Sequence, residues 1–113
     1  MKENAIISAM TDGEWMVTSF IQNSTDITSQ FSSYHFKYHN NFTVDAIENG
    51  TVVKSGTWQG DINNMSISAN FSAAVSPLSF LNGTWHVDNN SWTFVVASQT
   101  GGGVSQTLRL EKL

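Results

Sequence analysis

Three histidines, His35, His39 and His86, are the residues of this sequence with the most obvious capacity for chemistry. His35 and His39 lie four positions apart. On a helix that spacing would bring two imidazoles to one face, where they could share a metal; in an extended strand it separates them by about 13 Å. The surrounding stretch decides between the two. Tyr34, Phe36 and Tyr38 alternate with His35, Lys37 and His39, the period of a half-solvated strand. Both histidines are therefore expected on a solvent face, and no metal and no cofactor is expected. His86, between Trp85 and Val87, reads in the same way as the outward residue of a strand.

General acid–base chemistry requires two groups whose surroundings drive their pKa values apart. Asp45 sits in mid-strand, and an inward Asp45 meeting a histidine in a cleft would be a catalytic lead. Its alternation with Val44 and Ala46 instead predicts a solvated face shared with Thr43. Asp12, Glu14, Asp61 and Asp88 fall at turns or strand edges. Serine is abundant throughout, and no Gly-x-Ser-x-Gly elbow singles one out as a nucleophile. Gly101-Gly102-Gly103 lacks the Lys-Ser/Thr that would make it a phosphate cradle, and it reads as a flexible hairpin tip. No catalytic residue is assigned; the chain is expected not to be an enzyme. The Asn-x-Ser/Thr triplets at Asn23, Asn41 and Asn82 are expected by chance in so Asn-, Ser- and Thr-rich a chain.

The elements that carry these residues read as short strands. In EWMVTSFIQ, Trp15, Val17 and Ile21 oppose Met16 and Phe20, a mixed pattern that predicts a bulge or a strand covered on both faces. Ser24 and Asp26 are candidate caps for one short helical turn. YHFKYH and FTVDAIE form a hairpin through Asn40-Asn41, with Phe42, Val44 and Ala46 on one face. Asn49-Gly50 predicts a tight turn into TVVKSGTW, where Gly56 marks a bend or a close backbone approach. MSISANF alternates Met65, Ile67, Ala69 and Phe71 against polar residues. Ser76-Pro77 opens a short helix that points Leu78 and Leu81 inward and ends at Asn82-Gly83. WHV is a short strand, Asp88-Asn89-Asn90 a turn, and WTFVVAS a strand with Trp92, Phe94 and Val96 on one face. SQTLRLEK turns Leu108 and Leu110 inward.

About eight strands joined by short turns, without long crossover helices, predict an all-β antiparallel meander. Closure into a barrel is favoured because it removes exposed edges from a sheet with few charges. Residues 1–12 are expected to be a flexible N-terminal segment and residues 13–113 the barrel. A chain of 113 residues is one domain, able to bury about two-thirds of its unfolded surface without staples. It has no cysteine to supply any. Charged residues make up only 12%, and five Lys and Arg against nine Asp and Glu leave no basic stripe for nucleic acid. No apolar run is long enough for a membrane-crossing helix.

Several pieces occur together in order: EWMVTSF, DITSQFSSYHFKY, the Gly56-Thr57-Trp58 triplet, LSFLNGTWHV and GGGVSQTLRLEKL. The arrangement resembles the small lipocalin-like domains of secreted or surface lipoproteins of Bacteroidetes, flavobacteria in particular, from about Gly13 to Leu113. Gly13-Glu14-Trp15 matches the Gly-x-Trp that helps close the floor of a lipocalin barrel. The resemblance implies an antiparallel barrel, export as a lipoprotein to the periplasm or cell surface, and no catalytic pattern. The chain is shorter than an ordinary lipocalin and lacks its disulfides and terminal helix, departures that argue against a spacious calyx. The leading expectation is a small hydrophobic ligand bound at one end of the barrel, with Trp15, Phe36, Trp58, Trp85 and Trp92 as lining or floor. The alternative is a structural or protein-interaction module of a cell-surface lipoprotein, with a solid core. An open interior or a packed one separates the two.

Overall fold

The computed structural model describes residues 3–61, 63–101 and 103–113, with side chains from Ile7 onward. Helix α1 (Glu3–Thr11) is followed by β1 (Trp15–Gln22), the two-residue β2 (Thr25–Asp26) and a 3-10 turn (Thr28–Phe31). Then come β3 (Tyr34–Tyr38), β4 (Thr43–Glu48), β5 (Thr51–Asp61) and β6 (Ser66–Asn70). A second 3-10 turn (Leu78–Leu81) leads into β7 (Gly83–Asn90), β8 (Phe94–Gly101) and β9 (Val104–Lys112). Each strand pairs antiparallel with the next from β3 to β9, and β9 returns to pair with β1 from Trp15↔Lys112 to Gln22↔Gln106. The result is a closed eight-stranded antiparallel barrel, with β2 as an extra strand on β1.

The closure has a narrow seam. β1 meets β3 through the single pair Trp15↔Phe36. Beyond it the upper half of β1 bonds to β2 and to the 3-10 turn behind it, where Ile27 N–H donates to Phe20 O at 2.9 Å and Thr28 Oγ1 accepts Phe20 N–H at 2.9 Å.

Much of this follows from local chemistry. The mixed pattern of β1 is a bulge between Val17 and Ser19, which brings Phe20 to the same side as Trp15 and Val17, all three buried. An extra residue in one strand advances the side-chain phase by one. Asn49 and Gly50 both have positive φ, 50° and 84°, as the two-residue turn between the paired Glu48 and Thr51 requires. A Cβ added at Gly56 would lie 2.3 Å from Asn70 O, so β5 and β6 approach closely there because the side chain is absent. Asp26 accepts Thr28 N–H at 2.9 Å where the first 3-10 turn begins; Ser24 makes no such bond. Leu78 and Leu81 of the second 3-10 turn are buried, as are Leu108 and Leu110 of β9.

Helix α1 spans Glu3–Thr11, with Ala9 and Met10 buried against the lower end of the barrel. Three expectations are corrected. Strand β7 continues through Asp88-Asn89-Asn90, with a bulge between Val87 and Asn89, and the turn comes at residues 91–93. In β8 it is Val95 and Ala97 that face inward, opposite the buried Leu110 and Leu108 of β9, and not Phe94 and Val96. Trp92, expected on the inner face, stands in the turn with 54% of its surface exposed. Phe42 precedes β4 with φ 65° and is also exposed, so the inner face of that strand begins at Val44. The connection from Gly101 to Val104 is a hairpin between paired residues; Gly102 lies outside the described residues.

Candidate functional site

The inward positions converge on an interior filled by the chain's own rings. Trp15, Phe20, Phe31, Phe36, Trp58 and Phe71 are each at most 1% exposed. Phe20 stacks on Phe31 with centroids 5.2 Å apart and receives Trp85 edge-on at 5.7 Å. Phe36 and Phe71 meet at 6.3 Å. These offset and edge-to-face contacts suit the quadrupoles of the rings. A small cleft of about 20 Å³ opens beside α1, bordered by Ala9, Met10, Ile67, Val87 and Val95. That is room for about one water molecule.

Four of the five aromatics proposed as lining or floor thus lie inside: Trp15, Phe36, Trp58 and Trp85. Trp92 lies outside. The three buried tryptophans share a second task. Trp15 Nε1–H donates to Met10 O at 3.0 Å, Trp58 Nε1–H to His39 O at 2.9 Å, and Trp85 Nε1–H to Leu81 O at 3.0 Å. Each acceptor belongs to a segment that covers a barrel end: α1, the β3–β4 connection and the second 3-10 turn. An indole buried in a core needs a partner for its N–H, and here each partner is a cap. Through its bond Trp15 ties α1 to the lower end of the barrel.

The polar chemistry lies on the outside of the sheet. Every histidine faces a carboxylate: His35 Nδ1 is 3.6 Å from Glu14, His39 Nε2 2.8 Å from Asp45, and His86 Nδ1 2.9 Å from Asp88. Asp45 faces outward, opposite Val44 and Ala46. Ser55 Oγ donates to Asp45 Oδ1 at 2.7 Å. Serine, histidine and aspartate therefore do converge, but the carboxylate sits between the other two. In a nucleophilic triad the imidazole occupies the middle and takes the serine proton. Here Ser55 and then His39 hold the Asp45 carboxyl below its usual range, which makes it a weaker base. Ser98 and His86 do the same to Asp88. Among the described residues, no three His, Asp, Glu or Cys side chains cluster as a metal site would require.

A groove of about 580 Å³ runs across the outer face of β5, β6 and β7. Register builds it, since Thr57 lies opposite Asn70, Gln59 opposite Ser68, and Ser68 opposite Thr84. Phe42 forms one wall, 43% exposed, its ring 5.7 Å from that of Trp58. A second groove of about 500 Å³ adjoins it over β6, β7 and β8 and shares Thr84. The outward Ser, Thr and Asn positions were legible in the alternation; their meeting in one concave row depends on cross-strand register.

At the upper end Val52, Val53 and Val75 are 53%, 47% and 80% exposed, and Val53 and Val75 border a common cleft with Ala73 and Ala74. No helix among the described residues is long and apolar enough to cross a membrane.

No family model matches the sequence, and no curated protein does. Solved structures that resemble the fold include the following two. A DUF4847 family protein from Bacteroides vulgatus superposes with a TM-score of 0.63 at 13% identity, over 94% of this chain and 96% of the other. Japanin from Rhipicephalus appendiculatus, in a structure bound to cholesterol, superposes with a TM-score of 0.62 at 8% identity, over 93% and 77%. At such low identity the likeness concerns the fold: this chain is a lipocalin-like barrel.

Proposed function

We propose that this lipocalin-like barrel is a non-enzymatic interaction module whose interior is structural and whose contacts with a protein partner are made on its outside. The packed interior carries this reading. Trp15, Phe20, Phe31, Phe36 and Phe71 occupy the space that a calyx would offer to a ligand. The exposed valines 52, 53 and 75 at the upper end supply an apolar contact surface, Val53 and Val75 beside the cleft they border. The resemblance to surface lipoprotein domains supports export to the periplasm or cell surface. Fractionation of cells expressing the full-length gene, with palmitate labelling, tests that part.

A second reading retains the small hydrophobic ligand. It is favoured by the small apolar cleft beside α1 and by the cholesterol bound in the japanin structure. A ligand at that end would have to displace Met10 and the rest of the cap. One titration separates the two readings. Fatty acids, cholesterol and an apolar dye are added while tryptophan emission is followed. The packed-core reading expects no saturable change; a saturable response that is lost in Met10→Trp would establish the second reading in its place.

A further inference from the structure

We infer that the groove over β5, β6 and β7 is a binding site for a neutral saccharide. Its lining is polar but uncharged. Thr57, Gln59, Ser68, Asn70 and Thr84 project into it, and no ionisable side chain is among the described residues that line it. Elsewhere on the outer surface such groups satisfy one another, as in Ser55 with Asp45 and Gln106 with Gln99, and at the rim of the groove itself Thr43 donates to Asn41. The side chains of Thr57, Gln59, Ser68, Asn70 and Thr84 make no hydrogen bond within the described residues. They offer hydroxyls and amides, able both to donate and to accept, spaced by the strand repeat on one concave face.

The wall adds the second element of sugar recognition. Phe42 is a bulky residue held at φ 65°, a region such side chains seldom occupy. Two backbone bonds fix it there: Phe42 N–H donates to His39 O at 3.0 Å, and Phe42 O accepts Trp58 N–H at 3.0 Å. Part of its ring covers Trp58, and the rest stands open to the groove. A pre-set aromatic face beside free hydroxyl and amide groups matches a sugar ring, which presents C–H bonds on one face and hydroxyls at its rim.

Other ligand classes fit worse. A phosphate or carboxylate would find no cation in the groove, and an apolar lipid would leave five polar groups unpaired. An extended peptide adding to a sheet needs an open edge, and β5, β6 and β7 are each paired on both sides. A volume of about 580 Å³ lies within the usual range for small-molecule sites and suits a short oligosaccharide. The adjoining groove, shared at Thr84, would let a longer glycan continue over β8.

The test is a backbone-amide NMR titration of the full chain with neutral oligosaccharides: gluco-, manno-, xylo- and galacto-configured tetramers. Saturable shifts for at least one of them, centred on Thr57, Gln59, Ser68, Asn70 and Thr84, are expected. Gln59→Ala and Thr57→Val, both at exposed positions, should weaken that binding about tenfold without changing the melting temperature. Phe42→Ala should abolish it. Since Phe42→Ala also uncovers Trp58, the two exposed variants decide. No saturable shift with any of the four, shifts centred elsewhere, or undiminished binding by Gln59→Ala and Thr57→Val would overturn the inference. A negative result here leaves protein docking at the upper end intact, while hydrophobic ligands entering the core would refute that reading and leave the groove untouched.

Discussion

Replacing Trp85 with Phe should cost far more stability than the same exchange at Trp92, although both lie in the second half of the chain among similar residues. Trp85 is 2% exposed, meets Phe20 edge-on at 5.7 Å and donates to Leu81 O at 3.0 Å. Phenylalanine retains most of the ring packing but removes the N–H and part of the ring volume. The lost hydrogen bond, with the Leu81 carbonyl left without its donor, costs about 1 to 2 kcal/mol. A residual void of about 40 Å³, at about 24 cal/mol per Å³, adds about 1 kcal/mol. The sum, about 2 to 3 kcal/mol, corresponds to a fall in melting temperature of about 8 to 12 °C for a domain of this size. Trp92 is 54% exposed in a turn, and its exchange should stay within about 0.5 kcal/mol. Thermal and urea melts followed by far-UV circular dichroism give both values, with the urea slope unchanged if the exchange acts on stability alone. Equal losses for the two variants, or a loss below about 0.5 kcal/mol for Trp85→Phe, would refute the view that indole N–H groups tie the caps to the barrel.

Gly56→Ala places a methyl 2.3 Å from Asn70 O and 3.0 Å from Phe71 Cδ1, so β5 and β6 must separate; a loss of about 1 to 3 kcal/mol in urea melts is expected. Asn82 accepts Phe71 N–H at 2.6 Å and donates to Phe71 O at 3.2 Å, so Asn82→Ala should cost about 1 to 3 kcal/mol and speed hydrogen exchange at the Phe71 amide. Asp45 carries a lowered folded pKa, held down by Ser55 and then His39. Its stabilising contribution is therefore complete above the unfolded value of about 3.9 and is lost as pH falls through the folded one. The melting-temperature gap between wild type and Asp45→Asn should be widest near neutrality and close in acid; a gap that widens in acid would contradict the assignment.

Where the chain's own period decides structure, sequence and fold agree. Phe36 and Tyr38 face inward, Asn49-Gly50 turns, and Leu108 and Leu110 are buried because strict alternation or a special dihedral leaves one solution. The failures come where an added residue resets the phase. The bulge after Val87 carries β7 through the expected turn at Asp88–Asn90, and β8 turns Val95 and Ala97 inward against β9, with Trp92 left outside in the turn. Nothing in the residue types marks that bulge. Phe42 fails for a related reason, since a left-handed phenylalanine has no sequence signature. The helix over Glu3–Thr11 has no sequence signature because so short a helix draws its support from the barrel end it covers. The groove required knowing which strand lies beside which.

The lone Trp15↔Phe36 pair between the first and third strands has a mechanical consequence. Every other junction of the barrel is laced by several pairs, so a fluctuation that parts two neighbouring staves costs least along this line. Breathing, and pulling the molecule apart from its ends, should start there. The barrel would then unroll as one curved sheet hinged far from the gap, with β1 leaving in company with β9 rather than alone.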